Sequence, residues 1–224
     1  NLETIYLDNK AINELEIKQK KIILKSKMRK LMVILTGKCN LRCIMCTRKP
    51  NNFVLPKEVF EQVQKIFPYL DFISWQGGEV FLVDNFKALL QEASRYPYIQ
   101  QEITTNGILI TKEWAELIAK ANVRLIFSID SLTKNTYEYI RKGAQFEDII
   151  KSVSLIKEAR LNYGKSRPVD FINIVVMRSN YLELINFVDF ALDYNFDGLN
   201  FMHMDGDMVP GENIFQPLDS EAID

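Results

Sequence analysis

The chain has 224 residues, 47% of them hydrophobic and 25% charged, with a formal net charge of −1. That is enough for one substantial core, and it gives no global pull toward DNA or an anionic membrane. No apolar run approaches the ~20 residues of a membrane span, and no signal-peptide pattern opens the chain, so neither membrane nor DNA is an expected partner.

Taken in order, residues 8–30 are lysine-rich, with Ile12, Leu15, Ile22 and Ile23 near helical spacing. They predict an amphipathic helix that lays one face on the domain. "LMVILT" (31–36) is a short, wholly apolar run, as strands buried on both faces are. A helix follows, with Pro56 in its first turn and Val59, Val63, Ile66 and Phe67 on one side. "FISW" (72–75) predicts strand two, and Phe86, Leu89, Leu90 and Ala93 stripe the next helix. "QEITT" (101–105) predicts strand three, followed by a helix striped by Trp114, Leu117, Ile118 and Ala121. "RLIFSI" (124–129) is strand four, before a long helix striped by Phe146, Ile149, Ile150 and Val153. "FINIVVM" (171–177) is strand five, with Ile185, Val188 and Leu192 on the helix after it, and "GLNFMH" (198–203) is strand six. Residues 205–224 carry Gly206, Pro210, Gly211 and Pro217 without a stripe, and read as a linker or tail. The expected division is an N-terminal helical extension (1–30), an α/β core (31–204) and that tail, leading to a further C-terminal domain if the chain is partial, as its start at Asn1 suggests.

Strand and helix alternate six times, the pattern of a parallel sheet, either an open doubly wound one or part of a barrel. In both, chemistry sits at the C-terminal ends of the strands. The loops there hold "TGKCNLRCIMC" after strand one, "QGGE" after two, "TNG" after three, "DS" after four, "RSN" after five and "HMD" after six.

All three cysteines, Cys39, Cys43 and Cys46, fall in the first of these loops. Residues so close pair poorly as disulfides, so thiols kept for a metal in a reducing, cytoplasmic setting are expected. Thiolates favour zinc, copper(I) or iron–sulfur clusters. Zinc would need a fourth ligand, and the only histidine is His203. A 4Fe–4S cluster has four irons, and three cysteines leave one open for a substrate or cofactor. Lys38 and Arg42 set positive charge beside such a centre.

C-x3-C-x2-C after the first strand, "GGE" after the second, and then "TTNG", "SIDS", "IRKGAQFEDIIKSV" and "VVMRSNYLELINFVDFA" resemble the radical S-adenosylmethionine (radical SAM) enzymes, in particular the subgroup with SPASM or twitch extensions. The resemblance runs from about Leu31 to His203 and implies a partial (β/α)6 barrel. It implies that Cys39, Cys43 and Cys46 ligate a 4Fe–4S cluster whose open iron chelates S-adenosylmethionine. Reductive cleavage would then give a 5′-deoxyadenosyl radical that abstracts hydrogen from substrate. An external flavodoxin- or ferredoxin-like electron donor and a peptide or protein substrate are implied partners.

By the same resemblance Met45 stands where an aromatic often packs near adenine. Gly77 and Gly78 let the backbone approach the ligand, and Glu79 accepts from the methionine ammonium. Ser128 contacts ribose or carboxylate, Arg141 pairs with the carboxylate, and Thr105 and Asn106 share that face. Asp130 faces the ribose or caps the next helix, and His203 is a candidate substrate contact or proton donor beside Asp205 and Asp207. Two other classes remain open: an iron–sulfur or other metal protein that only carries electrons, and a βα binding module with incidental cysteines. No cysteine follows Cys46, so an auxiliary cluster cannot be built from these residues.

Overall fold

The computed structural model describes residues 2–48, 50–163, 169–204 and 209–216. After α1 (Leu2–Lys18), strands and helices run β1 (Lys30–Ile34), α2 (Lys57–Ile66), β2 (Phe72–Gln76), α3 (Phe86–Ala93), β3 (Gln100–Thr105), α4 (Lys112–Lys120) and β4 (Arg124–Ser128). They continue through α5 (Lys134–Ile140), α6 (Phe146–Tyr163), β5 (Phe171–Val176), α7 (Asn186–Tyr194) and β6 (Gly198–His203). All six expected strands are present, and every pairing is parallel.

The spatial order β1-β2-β3-β4-β5-β6 decides between the two parallel architectures. A doubly wound sheet reverses direction at a switch point. Here each crossover moves one strand further the same way, so the sheet is a partial barrel with β1 and β6 as its edges.

Alternation along the strands separates its two faces. Val33, Ile73, Trp75, Ile103, Leu125 and Phe127 point toward the helices and are buried. The concave face is half open: Met32 and Ile34 are 62% and 42% exposed. Near the N-terminal end of that face Arg124 pairs with Glu102 at 3.2 Å, Ser74 donates to Glu102 at 3.1 Å, and the Arg124 guanidinium lies over the Phe171 ring.

Three sequence-based expectations change. The N-terminal helix spans 2–18 rather than 8–30, and Ile12, Leu15, Ile22 and Ile23 are exposed. Its polar face packs instead: Asn9 exchanges hydrogen bonds with the Lys27 backbone, and Glu16 accepts from the amides of Lys25 and Ser26. The irregular 19–29 segment has no ladder partner for the amides of Lys25, Ser26 and Lys27, and the helix side chains accept from them.

On α7, Ile185, Val188 and Leu192 face outward, while Phe187 and Ala191 are buried. On α2 the buried positions are Phe60 and Val63, with Val59 exposed, and Phe67 is buried in the 3-10 turn that follows. Helix α5 was not foreseen. It is one short helix with two buried side chains, Tyr137 and Ile140, too few to make a period legible.

The described part of the expected linker, 209–216, is tied to the loop after β5. The Arg178 amide and side chain donate to the carbonyls of Glu212, Gly211, Asn213 and Gln216, and the Ser179 amide donates to the Glu212 carboxylate.

Candidate functional site

The three cysteines line one cavity of about 830 Å³ at the C-terminal end of β1 and β2, together with Gly77 and Gly78. Burial, the largest influence on each, pushes the Cys39 and Cys43 thiols above their ordinary range, and Arg141 pulls the other way. Cys46 is exposed, and its Sγ lies 3.0 Å from the Arg48 carbonyl.

Several elements fix the cysteine loop. The amides of Arg42 and Ile44 donate to the carbonyls of Lys142 and Ile140 at 2.9 Å each, so the loop is stitched to the segment that ends α5. The Arg42 guanidinium donates to the carbonyls of Cys39 and Leu41. Leu41 donates its amide to Cys39 Sγ at 3.4 Å, and Asn106 holds Asn40 at 2.9 Å with Cys39 Sγ 4.0 Å away. Behind the loop, Thr36 Oγ1 donates to the Phe53 carbonyl, and Thr36 bridges Val54 antiparallel, which folds 51–55 back along the end of β1.

The glycine pair has a definite task. The Gly78 amide donates to the Thr36 carbonyl at 2.8 Å, and the Glu79 amide to the Lys38 carbonyl at 2.9 Å. A Cβ on Gly78 would lie 2.2 Å from the Lys38 carbonyl oxygen, and one on Gly77 2.7 Å from that of Thr36. The close approach made by these glycines is to the cysteine loop itself.

Glu79 is fully buried rather than a surface residue. Its carboxylate accepts from Thr105 Oγ1 at 2.9 Å and from the Asn106 amide at 2.9 Å. Burial raises its pKa to about 7 against the pull of these donors. Thr105 and Asn106 therefore join Glu79 and Cys39 in one buried network.

Asp130 and Arg141 are also buried, as an ion pair at 2.6 Å, and Arg141 Nη1 reaches Cys43 Sγ at 3.8 Å. Asp130 does not cap α5. Thr133 holds that N-cap position, and Asp130 instead accepts from the Val175 amide at 2.8 Å, across to the neighbouring strand. Ser128, half-buried, sits opposite Asn173 on the concave face, and Asn173 in turn accepts from Asn200.

Met45 packs with Ile140, Met177 and Met204. His203 ends β6, exposed, at the sheet edge opposite β1, and Asp205 and Asp207 lie outside the described residues. The zinc site of three cysteines and His203 is thus not assembled. Among the described residues no group of three or more His, Cys, Asp or Glu could hold a metal ion. The sequence reading missed Asn40, Tyr137 and Asn180. Asn180 donates to the Asp130 carbonyl at 2.6 Å, and its place in "RSN" at a strand end was its only signal.

A sequentially ordered partial barrel with a three-cysteine loop over its first strand defines the class. The chain belongs to the Radical SAM superfamily, whose model matches residues 33–191, a family that uses a 4Fe–4S cluster and S-adenosylmethionine.

Among curated relatives, a GTP 3′,8-cyclase of Petrotoga mobilis is 32% identical over 174 residues, 73% of this chain and 52% of that protein. The molybdenum cofactor biosynthesis protein moc-5 of Caenorhabditis elegans is 27% identical over 195 residues, 82% of this chain and 31% of that protein. Among solved structures, SuiB of Streptococcus suis bound to S-adenosylmethionine superposes with a TM-score of 0.68 at 24% identity, over 90% of this chain and 46% of SuiB. Methylornithine synthase (PylB) superposes at 0.63 and 13%, over 97% and 65%. These likenesses show the fold. The chain spans about half the length of the curated relatives it matches.

Proposed function

We propose that Cys39, Cys43 and Cys46 hold a 4Fe–4S cluster with one iron open, and that residues 31–204 form the core that binds S-adenosylmethionine there. The supporting observation is three thiols along the wall of one cavity, which Gly77 and Gly78 also line, ahead of the buried Glu79. A centre of several irons asks for ligands spread around it rather than converging. The cavity volume also falls within the range of small-molecule sites. When bound, the cluster would supply one electron to the sulfonium, giving methionine and a 5′-deoxyadenosyl radical that takes a hydrogen atom from substrate.

The chain's own residues bind and orient. Glu79, with Thr105 and Asn106 holding its carboxylate, keeps acceptor capacity for the methionine ammonium. Gly77 and Gly78 seat the cysteine loop, and Ser128 presents its hydroxyl on the concave side. A flavodoxin- or ferredoxin-like donor delivers the electron in a reducing compartment.

The substrate reading is a peptide or peptide-like molecule. The concave face offers Ser128, Asn173 and Asn200, neutral groups suited to amides, and its Arg124–Glu102 charges cancel each other. SuiB has been solved with a precursor peptide bound. A nucleotide substrate is the second reading, favoured by the relatives named GTP 3′,8-cyclase. Anaerobic reconstitution with iron and sulfide, then dithionite and S-adenosylmethionine, should release 5′-deoxyadenosine, and each Cys→Ala variant should abolish it. Faster release with peptides than with GTP supports the peptide reading; the reverse supports the nucleotide. An iron-free, colourless product after reconstitution would overturn the function.

A further inference from the structure

Arg141 stands apart from the other basic residues near the thiols: it is 5% exposed, whereas Lys38 and Arg42 are exposed to solvent. The backbone fixes it from both sides, because Ile44 and Arg42 bond to its chain neighbours Ile140 and Lys142. The guanidinium is thereby held between a carboxylate and a cysteine sulfur. Nη2 meets Asp130 at 2.6 Å and Nη1 meets Cys43 Sγ at 3.8 Å, while Nε has no hydrogen-bond partner among the described residues. Asp130 is anchored in turn by the Val175 amide through its carboxylate and by Asn180 through its carbonyl. Tyr137, fully buried, senses Arg141, Asp130 and Cys43, and its hydroxyl also lacks a partner among the described residues. Burying an ion pair at this depth is costly, and a pair kept for stability alone gains little over apolar packing.

We infer that Arg141 is a positioning residue acting through Cys43: held by Asp130, it aims a cationic N–H at that sulfur and so sets the reduction potential of a cluster bound to the three thiols. The inference rests on the cluster reading above and gives Arg141 work on the metal side of the site. A cation beside a ligating sulfur stabilises the added electron, and hydrogen bonds to such sulfurs are a recognised control on potential. The carboxylate behind it offsets part of that charge, so the two residues act with opposite signs.

The test is an EPR-monitored potentiometric titration of the reconstituted protein without S-adenosylmethionine. Arg141→Gln should lower the midpoint so that the reduced-to-oxidised ratio at a fixed potential falls about tenfold, 59 mV for a one-electron couple. Arg141→Lys, which keeps the charge and loses the fork, should fall by less. Asp130→Asn, which leaves Arg141 uncompensated, should move the midpoint upward. A residue that merely supports the loop would not give shifts of opposite sign. Midpoints equal to wild type in all three, or moving in one direction together, would overturn the inference. If Arg141→Gln takes up no iron, Asp130→Asn decides: a midpoint at or below wild type sinks the proposal. Failure of the wild-type protein to take up iron would instead sink the cluster reading.

Discussion

At the scale of single residues, the cysteines and the glycine pair were legible because their chemistry is carried by residue type and spacing. Three soft ligands in eight positions leave few uses, and two glycines before a glutamate mark a backbone that must come close to something. The object approached was hidden, since nothing in "GGE" says that the Lys38 carbonyl sits 2.2 Å from where a Gly78 Cβ would be. The inward turn of Glu79 and the pairing of Asp130 with Arg141 depend on strands brought together by the fold, so no local pattern records them.

Burial of Glu79 has a measurable consequence. With its pKa lifted from 4.5 to about 7, the folded state keeps a proton that the unfolded chain has already released. The stability it lends is full below about pH 4.5 and is lost as pH rises through 7, about 3 kcal/mol in all at roughly 1.4 kcal/mol per pH unit. In urea titrations of the metal-free protein, unfolding free energy should therefore decline between pH 5 and 8, and Glu79→Gln should flatten that decline. Equal slopes for the two proteins would contradict this account.

At the scale of elements, strands were read more securely than helix faces. Short runs rich in apolar residues marked the strands, and all six were placed within a residue or two, although "LMVILT", expected to be buried on both faces, leaves Met32 and Ile34 exposed. Helix faces failed where apolar residues are plentiful on both sides. On α7, Ile185, Val188 and Leu192 have helical spacing, but so do Phe187, Ala191 and Tyr194, and the larger aromatics win the core. Phe187→Ala should cost about 3–5 kcal/mol in chemical denaturation through the cavity it leaves. Leu192→Ala, at 70% exposure, should stay within about 0.5 kcal/mol. Comparable losses at the two sites would show that the outward face is covered in solution. The N-terminal helix failed for the opposite reason: its contacts are made by Asn9, Glu16 and the Tyr6 ring stacked on Tyr98, none of which belongs to the aliphatic stripe.

At the scale of the whole molecule, alternating strands and helices fixed the class as parallel α/β but left the winding open, and the sequential strand order settles it. That order leaves the concave face half open and sets the cysteine loop and His203 at opposite edges of the sheet. Spacing along the chain placed both at or after strand ends on one rim of the sheet, as the structure has them, yet could not say how far around the rim each lies. The central claim concerns the open iron, and EPR of the dithionite-reduced, reconstituted protein tests it most directly. Adding S-adenosylmethionine should shift the g-values of the 4Fe–4S signal, as a new ligand on that iron requires. A signal unchanged by saturating S-adenosylmethionine would contradict the account.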